Sequence, residues 1–258
     1  MLFKKGGKCL TATTARPRAT ELAPPIQEAI PEKIADRKII VYKTLIDPTV
    51  IKLATEKVKD RLFVKFGFLK PSPDQIQQIS FEKDYEAYVV VDGRYYIDYY
   101  RKRIYAIKVD DRAQEVILLS QTFKPENSSA PSPGKVVRIE GEERLVHDKK
   151  AYIVLSAEGK EVSPKRIPSA PSEAHSKKIA AEIESTKKIE MLPNEELDII
   201  RNKIVKRPSE IERVVKELFE VLDRAVIYTP IYRVKFQNAK TGEVKTVKFD
   251  GVTARLLS

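Results

Sequence analysis

The sequence predicts an α+β protein of two bodies, each an amphipathic helix packed on an antiparallel β-meander, with a disordered basic arm at the N-terminus. Three observations carry this expectation. Apolar residues at helical spacing give way to two-residue alternation in each half, a Pro/Ser-rich segment separates the halves, and a cationic stretch precedes the first acidic residue. The expected divisions are an arm at 1–35, an N-terminal α+β domain at 36–123, a linker at 124–134 and a C-terminal α+β domain at 135–258.

The arm holds Lys4, Lys5, Lys8, Arg16 and Arg18 before Glu21. Pro24, Pro25 and Pro31 then deny regular structure, so folding is expected to begin near Asp36. Residues 39–42 form a short candidate strand. Asp47 followed by Pro48 is a helix start, because the carboxylate accepts orphan N–H groups and proline is tolerated at the first helical position. Val50, Ile51, Ala54, Val58 and Leu62 continue it, giving a helix over 48–66. Ser72, Pro73 and Gln75 mark a second, shorter helix start before Ile76 and Ile79. Strands are expected at 88–91 and 94–100, joined by a type I′ turn at Asp92-Gly93, with 104–109 and 115–119 extending the meander.

Beyond the linker, residues 136–139, 144–147 and 151–155 read as strands joined by turns at Glu140-Gly141 and Glu158-Gly159. Ser172 is placed as the cap of a helix running to about Glu184, and Asn194 as the cap of another over 195–205. Ser209 and Glu212 make a capping box for a helix over 210–224, whose apolar face would hold Ile211, Val214, Val215, Leu218, Val221, Leu222 and Ala225. Strands at 226–228, 231–236, 243–249 and 252–257 follow, with 238–242 as a hairpin loop.

Composition bounds the function classes. One-third of the residues are charged, the formal net charge is +11, and Trp is absent. The balance resembles that of proteins from hot environments. A single cysteine, Cys9, leaves no disulfide framework or multi-cysteine metal site within one chain and fits a reducing, cytoplasmic compartment. No segment approaches the roughly 18 apolar residues of a membrane span. The positive charge favours encounter with nucleic acid or an acidic protein surface.

The densest anomaly runs from Arg94 to Tyr105: seven of the eleven tyrosines lie between Tyr85 and Tyr105, interleaved with Arg94, Arg101, Lys102 and Arg103. Platforms for single-stranded nucleic acid combine cations that hold phosphates with aromatic faces that stack bases. Strand alternation sets Tyr95, Ile97 and Tyr99 on one face and Tyr96, Asp98 and Tyr100 on the other. The expected contact residues are therefore Arg94, Tyr96, Tyr100, Arg101 and Arg103, assisted by Lys4, Lys5 and Lys8. The expected function is that of a non-enzymatic accessory protein binding single-stranded nucleic acid. The alternative is a scaffold or adaptor for an acidic protein, since tyrosine and arginine also dominate protein hot spots.

Enzyme signatures are weaker. His147 and His175 lie in polar sequence far from Cys9, and no Gly-rich phosphate loop appears. Glu243-Val244-Lys245 has the acidic-x-Lys spacing of metal-dependent nucleases, but Asp223, the nearest upstream aspartate, falls on the expected helix rather than a strand. Lys203, Lys206 and Arg207 fit a helix end better than a phosphate site. No catalytic residue, metal site or cofactor is assigned.

Overall fold

The computed structural model describes residues 29–64, 72–128, 134–186 and 194–257. Among the described residues it is a mixed α+β structure, mostly antiparallel, with three α-helices. Three long strands dominate: β3 (Ile76–Val109), β7 (Lys135–Ser156) and β8 (Arg213–Asn238). β3 lies at the centre, antiparallel to β7 on one side and to β8 on the other. The outer edge of β8 is shared in succession by β1 (Glu32–Ile34) and β2 (Arg37–Val41), both parallel to it, and by β9 (Val244–Asp250), with β10 (Leu256–Leu257) beyond. At the far end, β6 (Glu126–Asn127) pairs with β7, and β4 (Val116–Leu118) pairs only with β5 (Gln121–Phe123).

Strands from both sides of residues 124–134 are therefore neighbours in one sheet, where two separate bodies were expected. The expected linker includes β6 at its start, and residues 129–133 lie outside the described residues, as do residues 1–28 of the expected arm.

Alternation decides which side of the sheet is covered. Val89, Val91, Tyr95, Ile97 and Tyr99 of β3 join Ile153 and Leu155 of β7 and Phe219, Val221 and Val226 of β8 in the main core. That face is roofed by α2 (Ser176–Thr186), through Ala180, and by α3 (Glu195–Ile204), through Ile200 and Ile204. Helix α1 (Pro48–Leu62) covers the 232–249 end, with Ile51 against Tyr232, Val234, Phe236 and Phe249. On the opposite face a smaller cluster of Tyr88, Val90, Val154, Ala225 and Ile227 packs under Val162 and Ile167.

Several local expectations hold. Asp47 caps α1, its Oδ1 accepting from Thr49 N at 2.7 Å, and hydrogen bonding from the Thr49 side chain, then from its backbone, holds the Asp47 carboxyl below the usual range. Residues 238–242 form the hairpin loop before β9, with Gly242 at φ 71°.

Others are corrected. The expected helix over 210–224 is the first half of β8, paired with β3 from Tyr100↔Arg213 to Val91↔Arg224. Bulges between Asp92 and Gly93 and between Asp98 and Tyr99 shift the register twice, and each shift disturbs the two-residue period until it mimics a helical one. Val215 and Leu222, assigned to a buried helix face, are exposed.

Asp92-Gly93 is no turn either: β3 runs straight through it. The glycine is needed for close approach, since a Cβ there would lie 2.8 Å from Ile200 Cγ1 of α3. Gly141 likewise sits inside β7, where a Cβ would lie 3.1 Å from the Tyr105 ring. The start at Ser72 yields one 3₁₀ turn (Pro73–Gln75) before β3. The helix expected from Ser172 begins at Ser176, and Asn194 adopts φ 71° without capping α3 through its side chain, its Oδ1 instead accepting from Arg224.

Candidate functional site

The tyrosine-rich run is the middle of β3, and its two faces differ as alternation requires. Tyr95 and Ile97 are fully buried and Tyr99 nearly so, whereas Arg94, Tyr96 and Tyr100 lie half-buried on the face away from α2 and α3. Arg101 and Arg103 fall on the Tyr95 side, so the five expected contact residues are divided between opposite faces. Lys4, Lys5 and Lys8 lie outside the described residues.

Each of these arginines is already neutralised. Arg94 donates from Nε and Nη2 to the two oxygens of Asp148 at 2.8 and 2.9 Å, with Glu220 at 3.6 Å. Arg144 grips Asp98 the same way, at 2.9 and 2.7 Å. These bidentate pairs bracket Tyr96 along the β3–β7 ladder. The Arg94 guanidinium also lies 5.5 Å from the Tyr96 ring centre, and Arg213 lies 4.0 Å from that of Tyr100. On the other face Glu143 accepts from Arg101 Nε at 2.9 Å and from the Tyr105 hydroxyl at 2.8 Å, with Arg103 at 3.6 Å. The Tyr105 hydrogen bond, then that from Arg101, holds the Glu143 carboxyl below its ordinary range. The run is thus a ladder of internal ion pairs and stacked cations.

A feature that sequence reasoning missed begins where β8 stops. From Arg101 to Val109, β3 keeps β7 on one side but has no partner strand on the other among the described residues. Tyr100 O accepts from Glu212 N, so the backbone of even-numbered residues points to that open side. Residues 102, 104, 106 and 108 therefore present unpaired N–H and C=O groups. Ile104, Tyr105 and Ile107 are exposed, Ile104 by 60%. The β4–β5 hairpin at the same end turns through Leu119 and Ser120, at φ 52° and 64°. Leu119 is 92% exposed in a backbone conformation that favours Asn or Gly. The signal in the sequence was Arg-Lys-Arg-Ile-Tyr-Ala-Ile-Lys-Val at 101–109, cationic and apolar without a carboxylate.

The enzyme candidates are not assembled. Lys245 donates to Leu62 O at 2.7 Å and lies 3.4 Å from Glu243, while Asp223 lies 2.8 Å from Lys38. His147 lies within β7, its ring centre 6.2 Å from that of Tyr95. Cys9 lies outside the described residues. Lys203 pairs with Glu161 and Arg207 with Glu217. Among the described residues no group of three His, Cys, Asp or Glu side chains could hold a metal, and no helix is long and apolar enough to cross a membrane. No family model, curated protein or solved structure matches this chain.

Proposed function

We propose that this chain is an interaction scaffold that recruits an acidic partner protein by adding one of the partner's extended segments to the open edge of β3. The observation that carries this reading is the unpaired backbone of residues 102–108 beside exposed Ile104, Tyr105 and Ile107. Main-chain hydrogen bonds supply affinity in such pairing, and alternate side chains supply specificity. An incoming strand would lie beside Lys108, which has no carboxylate within ion-pair distance among the described residues, whereas Arg101, Lys102 and Arg103 already hold Glu143, Glu210 and Glu212; one unpaired cation among exposed apolar side chains favours an apolar segment with an acidic residue opposite Lys108. A second copy is disfavoured. Antiparallel self-pairing centred on Tyr105 sets Lys102 against Lys108.

The same facts weigh against the tyrosine run as a platform for single-stranded nucleic acid. Its arginines hold carboxylates, and Tyr96 and Tyr100 already stack on cations of the chain.

Proline at Ala106 separates the possibilities, because it removes an outward N–H without touching the β3–β7 ladder. The full chain and the Ala106→Pro variant are titrated with a peptide of alternating Glu and Val and with oligo-dT, and sedimentation is recorded for both proteins. Peptide binding weakened at least tenfold by the proline, at unchanged melting temperature, supports the scaffold. Equal peptide binding by both proteins, or a dimer that the proline dissolves, overturns it. So does oligo-dT binding that Tyr96→Ala/Tyr100→Ala abolishes in a folded protein.

A further inference from the structure

At the opposite end of the sheet, a cleft of about 510 Å³ opens over the face that carries Tyr88. It lies between the Pro164–Arg166 turn and the connection from β9 to β10. Such a volume suits a small organic ligand.

Its charges are unusual for this molecule. Among the described residues every arginine has a carboxylate within ion-pair distance except Arg61, Arg166 and Arg255. Two of those three, Arg166 and Arg255, line this one cleft, and Lys165 joins them with its ammonium unpaired. All three are exposed at the rim.

The carboxylates of the cleft do not serve these cations. Glu86 accepts from the Tyr88 hydroxyl at 2.9 Å and from Lys248 Nζ at 2.6 Å. Glu158 accepts from Ser156 Oγ at 2.6 Å. Asp250 Oδ1 accepts from Val252 N and Thr253 N, closing the turn that leads to Arg255.

The backbone that presents the two arginines is fixed as well. Arg166 N donates to Ser163 O at 2.9 Å, and Asp250 N donates to Arg255 O at 2.8 Å. Pro168, Leu256 and Leu257 supply an apolar part of the wall. Two guanidiniums with no carboxylate within ion-pair distance, carried on hydrogen-bonded backbone beside an apolar wall, form a receptor for an anion attached to an organic body.

We propose that this cleft binds an organic phosphate, its phosphate oxygens held by Arg166 and Arg255 and its organic part lying against Pro168, Leu256 and Leu257. The site stands apart from the open edge of β3 and does not depend on the scaffold reading.

Calorimetric titration of the full chain at low salt, with ADP and with pyrophosphate as probes, tests it. ADP is expected to bind more tightly than pyrophosphate, and Arg166→Ala/Arg255→Ala to weaken ADP at least tenfold with an unchanged melting temperature. Arg166→Lys/Arg255→Lys should restore part of that loss. Arg61→Ala, which removes an unpaired arginine outside the cleft, should leave binding unaltered. Absence of ADP binding overturns the proposal, as does an equal loss in Arg61→Ala, which would reveal diffuse charge attraction. Pyrophosphate binding as tight as ADP removes the apolar wall from the site and likewise overturns it.

Discussion

Gly93 of β3 and Ile200 of α3 meet with no space for a side chain on the strand: a Cβ at position 93 would lie 2.8 Å from Ile200 Cγ1 and 3.2 Å from Ile204 Cδ1. Gly93→Ala should therefore cost about 1–3 kcal/mol through overpacking. Ile200→Ala should cost about 2–5 kcal/mol through the cavity it leaves. The double variant should lose less than the sum, because the shortened side chain makes room for the new methyl group. Urea unfolding of the three variants measures this, and strictly additive losses would mean that α3 does not rest on Gly93.

The Asp98–Arg144 pair makes stability pH-dependent. The paired hydrogen bonds from Arg144 outweigh desolvation and hold the Asp98 carboxyl below its ordinary value of 3.8. Because the folded value is depressed, the stabilisation is present above the unfolded value and is lost as pH falls through the folded one. Asp148, paired with Arg94, and Glu143 shift the same way. Melting temperature should thus be flat near neutrality and fall below about pH 4. Asp98→Asn should lower it at pH 7 yet converge on the parent in strong acid; a constant gap between the two curves would contradict the linkage.

The Leu119-Ser120 turn carries two residues in left-handed backbone, a conformation that costs side-chain-bearing residues about 1–2 kcal/mol each. Replacing the pair by Asn-Gly, the favoured two-residue hairpin sequence, should stabilise the β4–β5 hairpin by about 1 kcal/mol. Slower amide exchange at Ile117 and Thr122 would report it. If Leu119 contributes to partner capture, the same variant binds the Glu/Val peptide less tightly while its hairpin becomes firmer.

What could be read from the sequence depended on whether the cause was local. Asp47-Pro48 and the 238–242 loop act through a few adjacent residues, and both form as the chain chemistry requires. The alternation of buried Tyr95, Ile97 and Tyr99 with half-exposed Tyr96 and Tyr100 was equally plain, because a strand permits no other arrangement. The first half of β8 was not legible. Its helix-like pattern is overridden by pairing with β3, and the bulges that blur its period are properties of that distant contact. In the sequence alone Gly93 and Gly141 read as turn residues, because glycine serves turns and close approaches alike, and only the positions of Ile200 and Tyr105 tell them apart. The division of Arg101 and Arg103 from Arg94, Tyr96 and Tyr100 did follow from residue parity. Their carboxylate partners, Glu143 and Asp148, lie on a different strand and could not be assigned before the register was known.

The central position of β3 also shapes how the chain reaches its native state. Its ladder to β8 joins groups as distant in sequence as Tyr95 and Glu217, 122 positions apart, so much of the sheet waits on closure of long loops before any pairing offsets their entropy. Until β8 arrives, one full edge of β3 and the stripe formed by Tyr95, Ile97 and Tyr99 lack their final cover. Refolding from denaturant is therefore expected to be slow and concentration-sensitive, with association between chains competing with completion of the sheet, and a refolding rate and yield independent of protein concentration would contradict this. The cations at 101–103 act in that interval as gatekeepers, since like charges discourage two unfinished edges from meeting.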